Sequence, residues 1–144
     1  MVQMTAFLMA AALMAGPVPD RAEIRTCAPL NVYKPMSAAR MEYCYKGSLA
    51  FPVDGVVESA LREIALFKLV HPDAQSRPLY EQVAVLAQEG RSPAIRYKAA
   101  LVKLVFEHPG LFGADMQRDY LNDEQLFTAI SDRLRDSLLA IVIR

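Results

Sequence analysis

The chain has no tryptophan, only two histidines, two cysteines and six glycines, and no surplus of charge, because 16 Lys and Arg balance 16 Asp and Glu. Each shortage removes a class of function. A neutral chain is poorly suited to phosphate backbones, which demand an excess of cations, so nucleic acid is not an expected partner. The few glycines form no phosphate-cradling loop, and neither a GxSxG elbow nor an HExxH helix occurs. No pair among Cys27, Cys44, His71 and His108 has the close spacing of structural zinc sites. Disorder is excluded as well, since 53% of residues are hydrophobic and net charge is nil. What remains is a chain of 144 residues, enough for one domain with a core of its own. No cofactor is expected, and the balance leans away from an enzyme.

The first 19 residues carry no charged side chain, and every residue from Ala6 to Ala15 is apolar. A run of about 10 apolar residues is half of what a membrane-spanning helix needs but suits the core of a secretory signal. Pro17 and Pro19 break it and charges begin at Asp20. Residues 1–19 therefore read as an export signal, which makes the protein periplasmic or secreted, with no stable membrane insertion once the signal is removed. Two features fit less well: the only positive charge ahead of the run is the α-amino group, and cleavage after Ala15 leaves Leu13 three residues back. The alternatives are an uncleaved anchor and a cytosolic protein with a buried N-terminal helix. An even cysteine count suits an oxidising compartment. A Cys27–Cys44 disulfide would contribute about 3 kcal/mol by loop entropy.

Residues 20–52 read as an irregular arm, broken by Pro29, Pro35 and Pro52. Asn31 to Tyr33 and Glu42 to Tyr45 are short enough to be extended, and a helical turn near Ser37 to Met41 is equally compatible. From residue 53 to 144 the pattern is helical. Val53, Val56, Val57, Ala60, Leu61, Ile64 and Phe67 follow three-and-four spacing, with Asp54 as an N-cap and Pro72 as a stop. Pro78 to Glu89 carries Leu79, Tyr80, Val83, Leu86 and Ala87 inward and ends at Gly90. Ser92-Pro93 starts a third helix running to about Glu107, with Tyr97, Leu101, Leu104 and Val105 on its stripe. A short helical piece over 114–121 precedes the last helix, which Asn122 and Gln125 open as a capping box. Its stripe is Leu126, Phe127, Ile130, Leu134, Leu138 and Ile141.

Ala65-Leu66-Phe67-Lys68-Leu69-Val70 is echoed by Ala100-Leu101-Val102-Lys103-Leu104-Val105, each near a helix end with His-Pro following. Two stacked hairpins would produce such an echo. Leu79 to Leu104, above all Ser92-Pro93-Ala94-Ile95-Arg96 followed by Ala99-Ala100 and Leu104, resembles one HEAT-type helical repeat unit within residues 79–107. The resemblance implies hairpin stacking and a protein-binding surface, and it implies no catalysis. The chain departs from that family in offering at most two units and in lacking the usual loop Asp.

His71 and His108 each close a helix and precede proline. Such positions favour interaction with the helix dipole and its free carbonyls. The alternative is a small metal-binding protein or hydrolase that uses the two together, aided by Glu107, Asp73 or Asp115. Carboxylates such as Asp123, Glu124, Asp132 and Asp136 read as solvated helix surface. Tyr33, Tyr43 and Tyr45 interleave with Lys34, Arg40 and Lys46, residue types that suit protein interfaces. The apolar end, with Leu139, Val142 and Ile143, is either buried or offered to a partner. The fold expected is all-α: a four- to five-helix bundle or short helical-hairpin stack behind a disulfide-stapled irregular arm. The function expected is a non-catalytic interaction module for a protein partner, with those nine residues as its contacts.

Overall fold

The computed structural model describes residues 37–142, which hold five α-helices and no strand: α1 (Ala38–Leu49), α2 (Asp54–Val70), α3 (Arg77–Glu89), α4 (Pro93–Glu107) and α5 (Asp123–Val142). Two 3₁₀ turns, Pro109–Leu111 and Ala114–Met116, lie between α4 and α5. The all-α class is as expected. Tyr33, Lys34, Cys27, Ile143 and the leader lie outside the described residues, and so does the Cys27–Cys44 pairing. No helix among the described residues is long and apolar enough to cross a membrane.

Part of the segment expected to be irregular is helical. Ser37 accepts a hydrogen bond from the Arg40 amide at 3.2 Å and opens α1. Met41, Tyr45 and Leu49 recur every four residues, and Met41 and Leu49 are buried. Glu42 to Tyr45, compatible with a strand by composition, therefore lies on a helix. Pairs of α1 with α2 and of α3 with α4 make two hairpins, stacked so that α1 lies against α3 and α2 against α4. α5 lies across the other side of the α2–α4 pair.

α2 is the centre of this arrangement. Nine of its 17 residues are buried, including the unbroken run Ala65 to Leu69. A helix that contacts α1, α4 and α5 has no wholly exposed face, which is why its pattern is richer in apolar residues than one stripe requires. Lys68 sits inside that run at 1% exposure. Its Nζ donates to the carbonyls of Pro72 and Ala74, at 2.5 and 2.7 Å, and lies 5.4 Å from the Phe106 ring centroid. The ammonium thus ties the α2–α3 loop back onto its own helix, and burial pushes its pKa below the usual lysine value. Lys103, its counterpart in the sequence echo, is instead at the surface, paired with Glu107 at 2.8 Å. The two copies therefore do not occupy equivalent environments. His71 and His108 do share one role, as C-caps with φ, ψ of −122°, 68° and −129°, 56°.

Several local expectations shift. Val53 rather than Asp54 is the N-cap of α2, while Asp54 is the first helical residue and receives the Arg91 guanidinium. Val53, Val56 and Tyr97 are exposed rather than inward. On α4, Ile95, Ala99 and Val102 carry the seam, which turns Tyr97 outward. The piece after the first 3₁₀ turn is not an eight-residue helix. Gln117 Nε2 donates to the free Leu69 carbonyl at the end of α2, 3.1 Å away, and Tyr120 and Met116 close over the bundle end. The Asn122 cap holds: its Oδ1 accepts from the Gln125 amide at 2.9 Å, and Gln125 Oε1 accepts from Leu121 N. That return bond reaches one residue farther back than a capping box does.

The turn between α3 and α4 needs glycine for space, not for an unusual backbone angle. Gly90 has φ −54°, but a Cβ there would lie 2.5 Å from the Leu86 carbonyl and 2.9 Å from Ile95 Cγ2. Overpacking of this kind costs typically about 1–3 kcal/mol. Gly90→Ala is expected to lower the urea midpoint accordingly, whereas Gly47→Ala, with open space around it, should not destabilise. Equal midpoints for the two variants would refute the close-approach account.

Candidate interaction surface

The sequence-derived contact residues divide between two faces of α1. Arg40, Tyr43 and Lys46, three apart, share its exposed side, and Tyr43 is 58% exposed. Tyr45 points the other way, half-buried toward α2, where burial and then the nearby Glu63 carboxylate push its hydroxyl up to about 12. Cys44 is half-buried on the same helix.

The exposed face of α1 runs into a groove of about 450 Å³ between the end of α1 and α3. Leu49 and Ala50 form one wall, and Pro78, Val85 and Leu86 form the other. Lys46 and Glu81 stand on opposite rims, with Gln82 between. This volume is in the range of ligand-sized clefts, and its lining is mostly apolar. Val85 is 54% exposed, and so are Phe51 and Val53 nearby at 48% and 54%. Arg91 holds residues 51–54 against the α3–α4 turn by donating to the Phe51 carbonyl at 2.7 Å and pairing with Asp54. The groove lies where α1 ends: Leu49 is its last residue, and the chain turns away at Pro52. The groove's signal lies in apolar positions, such as Val85, left over once the core stripe of α3 is assigned.

The opposite side of the molecule holds an ion-pair junction, and beside it a more polar cleft of about 580 Å³ lined by Arg118, Asp119, Asn122, Glu124, Thr128 and Asp132. Lys98 of α4, only 8% exposed, donates to Glu58 of α2 at 2.7 Å and faces Glu124 and Asp123 of α5 at 3.6 and 4.0 Å. Arg62 of α2 reaches Asp123 at 3.3 Å, Glu63 at 2.6 Å and the Tyr120 carbonyl at 3.3 Å. Asp123 thus joins cations from two helices and fixes the start of α5. Burial alone would lower the Lys98 pKa, but the hydrogen bond and charge of Glu58, with Asp123 and Glu124, hold it above the usual value. Burial also raises the Glu63 carboxyl, against the opposing pull of Arg62.

α5 begins in this junction and ends outside the body. Leu126, Phe127 and Ile130 are buried and Leu134 packs against the core, but Leu138 and Leu139 are 65% and 52% exposed. The end is therefore offered to solvent at the described positions, rather than enclosed between helices. Val142 belongs to the last turn of the same helix.

Around the histidines the candidate chemistry is dispersed. Glu107 is engaged by Lys103 and by the Tyr80 hydroxyl at 2.7 Å, bonds that hold its carboxyl below the usual range. His71 stacks obliquely on Phe67, with centroids 5.0 Å apart. Asp115 faces Arg133 at 3.9 Å. Among the described residues no group of three or more His, Cys, Asp or Glu side chains is placed to hold a metal ion.

The junction makes a pH prediction. A lysine whose folded pKa is raised contributes stability below its unfolded value of about 10.5, and that contribution is lost as pH climbs through the higher folded value. Glu58→Gln is expected to cost about 1–3 kcal/mol at pH 7, because Lys98 loses its closest counter-charge. The variant should also show a shallower loss of stability than the unaltered protein as pH rises above about 10.5. Urea midpoints across that range measure both effects, and parallel curves would refute the coupling.

Comparisons with protein-family models, with curated proteins and with solved structures find no match, so the chemistry of these surfaces alone carries the functional reading.

Proposed function

We propose that this chain is a small exported helical protein that acts as a non-catalytic interaction module, binding another protein through the α1 face and the adjoining α1–α3 groove. The observation that carries the reading is the groove itself. It offers apolar area lined on the α1 side by Lys46, which shares the exposed face of α1 with Arg40 and Tyr43, and it carries one amine and one carboxylate on separate helices. Aromatic and Arg side chains supply contact area with a polar tip, the composition favoured where proteins meet. The exposed Leu138 and Leu139 add a second apolar contact on α5.

Export rests on the sequence: the uncharged leader over 1–19 and the even cysteine pair. In this reading Cys27 and Cys44 form a disulfide that ties the segment ahead of α1 to that helix, beside the contact face. Tyr33 and Lys34 belong to the same proposed contact set by residue type.

One preparation tests both parts. The protein is produced in its own host with Val85 replaced by a photoreactive benzoylphenylalanine, irradiated, and weighed intact with and without thiol alkylation before reduction. The expected product lacks about the first 15–20 residues, takes up no alkylating label, and carries a discrete protein adduct that is absent when the probe stands at Thr128. A full-length chain with two free thiols would overturn export and disulfide together. Equal labelling from Val85 and Thr128 would overturn the groove as the contact site.

A further inference from the structure

The molecule displays two apolar surfaces that do not meet each other. The groove lies on the side of α3 away from α4, walled by α1, while α5 packs on α2 and α4 in the layer beyond. Its described lining includes no residue of α5. The last turns of α5 leave the body with Leu138 and Leu139 exposed, followed in sequence by Ala140, Ile141 and Val142.

We propose that the occupant of the groove is the end of α5 from a second copy of this chain, which makes the protein self-associate head to tail. Two observations support that partner. The groove is of the right kind and size, mostly apolar and about 450 Å³, for a pair of leucine side chains from a helix. Its rims present one cation and one anion, Lys46 and Glu81, and the turn of α5 before Leu138 presents one of each sign in Arg135 and Asp136, both more than 65% exposed. A docked helix in one of its two directions sets Asp136 beside Lys46 and Arg135 beside Glu81, with Glu81 and Arg135 exchanging their present solvent-exposed partners, Arg77 and Asp132.

The contact joins two different patches, so it is heterologous: each copy keeps one free groove and one free α5 end, and association continues into a ring or an open chain. The proposal rests on the groove being a protein-contact surface and goes beyond it by naming the partner.

Heterologous contact permits a test that no two-fold contact can pass. Val85→Glu disables the groove, and the double substitution Leu138→Glu with Leu139→Glu disables the α5 end. All three positions are more than half exposed, and circular dichroism with a urea midpoint verifies that both variants fold. Sedimentation velocity of the unaltered protein is expected to show a mass that rises with concentration past two copies. Each variant alone should associate at least tenfold more weakly. An equimolar mixture of the two should recover a species of two copies and stop there, because each supplies the surface that the other lacks. A monomer at every concentration, or a mixture that stays monomeric, would overturn the proposal. So would a variant that dimerises unaided, which would indicate contact between like surfaces. A monomeric protein whose Val85 photoprobe still captures a different protein would remove self-association and leave the interaction-module reading standing.

Discussion

Burial of α2 on nearly every side is the constraint on which the other helices depend. α1, α4 and α5 all rest on it, and its run from Ala65 to Leu69 has no solvent-facing position. Removing each large apolar side chain there from water is worth about 1.5–3 kcal/mol, so α2 supplies a large share of what holds the domain together. A lysine within such a run is tolerable only because Lys68 finds two carbonyls in the loop that follows. That requirement in turn fixes how the chain leaves α2 and enters α3, and so where the wall of the groove stands.

The two hairpins leave opposite surfaces with different characters. Beyond α2 and α4, the charges of Arg62 and Lys98 meet at Asp123 and seat the first turns of α5. Hydrophobic contact takes over through Leu126, Phe127 and Ile130, then stops well before the helix does. On the α1–α3 side an apolar cleft remains open beside the end of α1. A projecting helix end and an open groove on one small molecule are the features that motivate an interaction role.

The helices after residue 53 were legible because their signals are local. Ser92-Pro93, Asn122 with Gln125, and three-and-four apolar spacing act over a few residues, and the structure uses them nearly as written. α1 was harder to see. Pro29, Pro35 and Pro52 suggested a broken arm, although the Ser37 cap and the Met41, Tyr45 and Leu49 spacing were present. The outward turn of Tyr97 and the exposure of Leu138 were not readable, since each depends on which neighbour is absent rather than on the helix itself. Arg40, Tyr43 and Lys46 were selected by residue type, and their shared face became visible only once α1 was known to be a helix. The groove depends on where α1 ends against α3, a property that no single segment encodes.

Amide hydrogen exchange on dilute protein tests most directly whether α2 is the buried centre and the end of α5 stands free. Slowest exchange is predicted within residues 60–69, with a sharp loss of protection along α5 beyond about residue 135. Uniform protection through residue 142, or an α2 that opens before α3, would contradict the account.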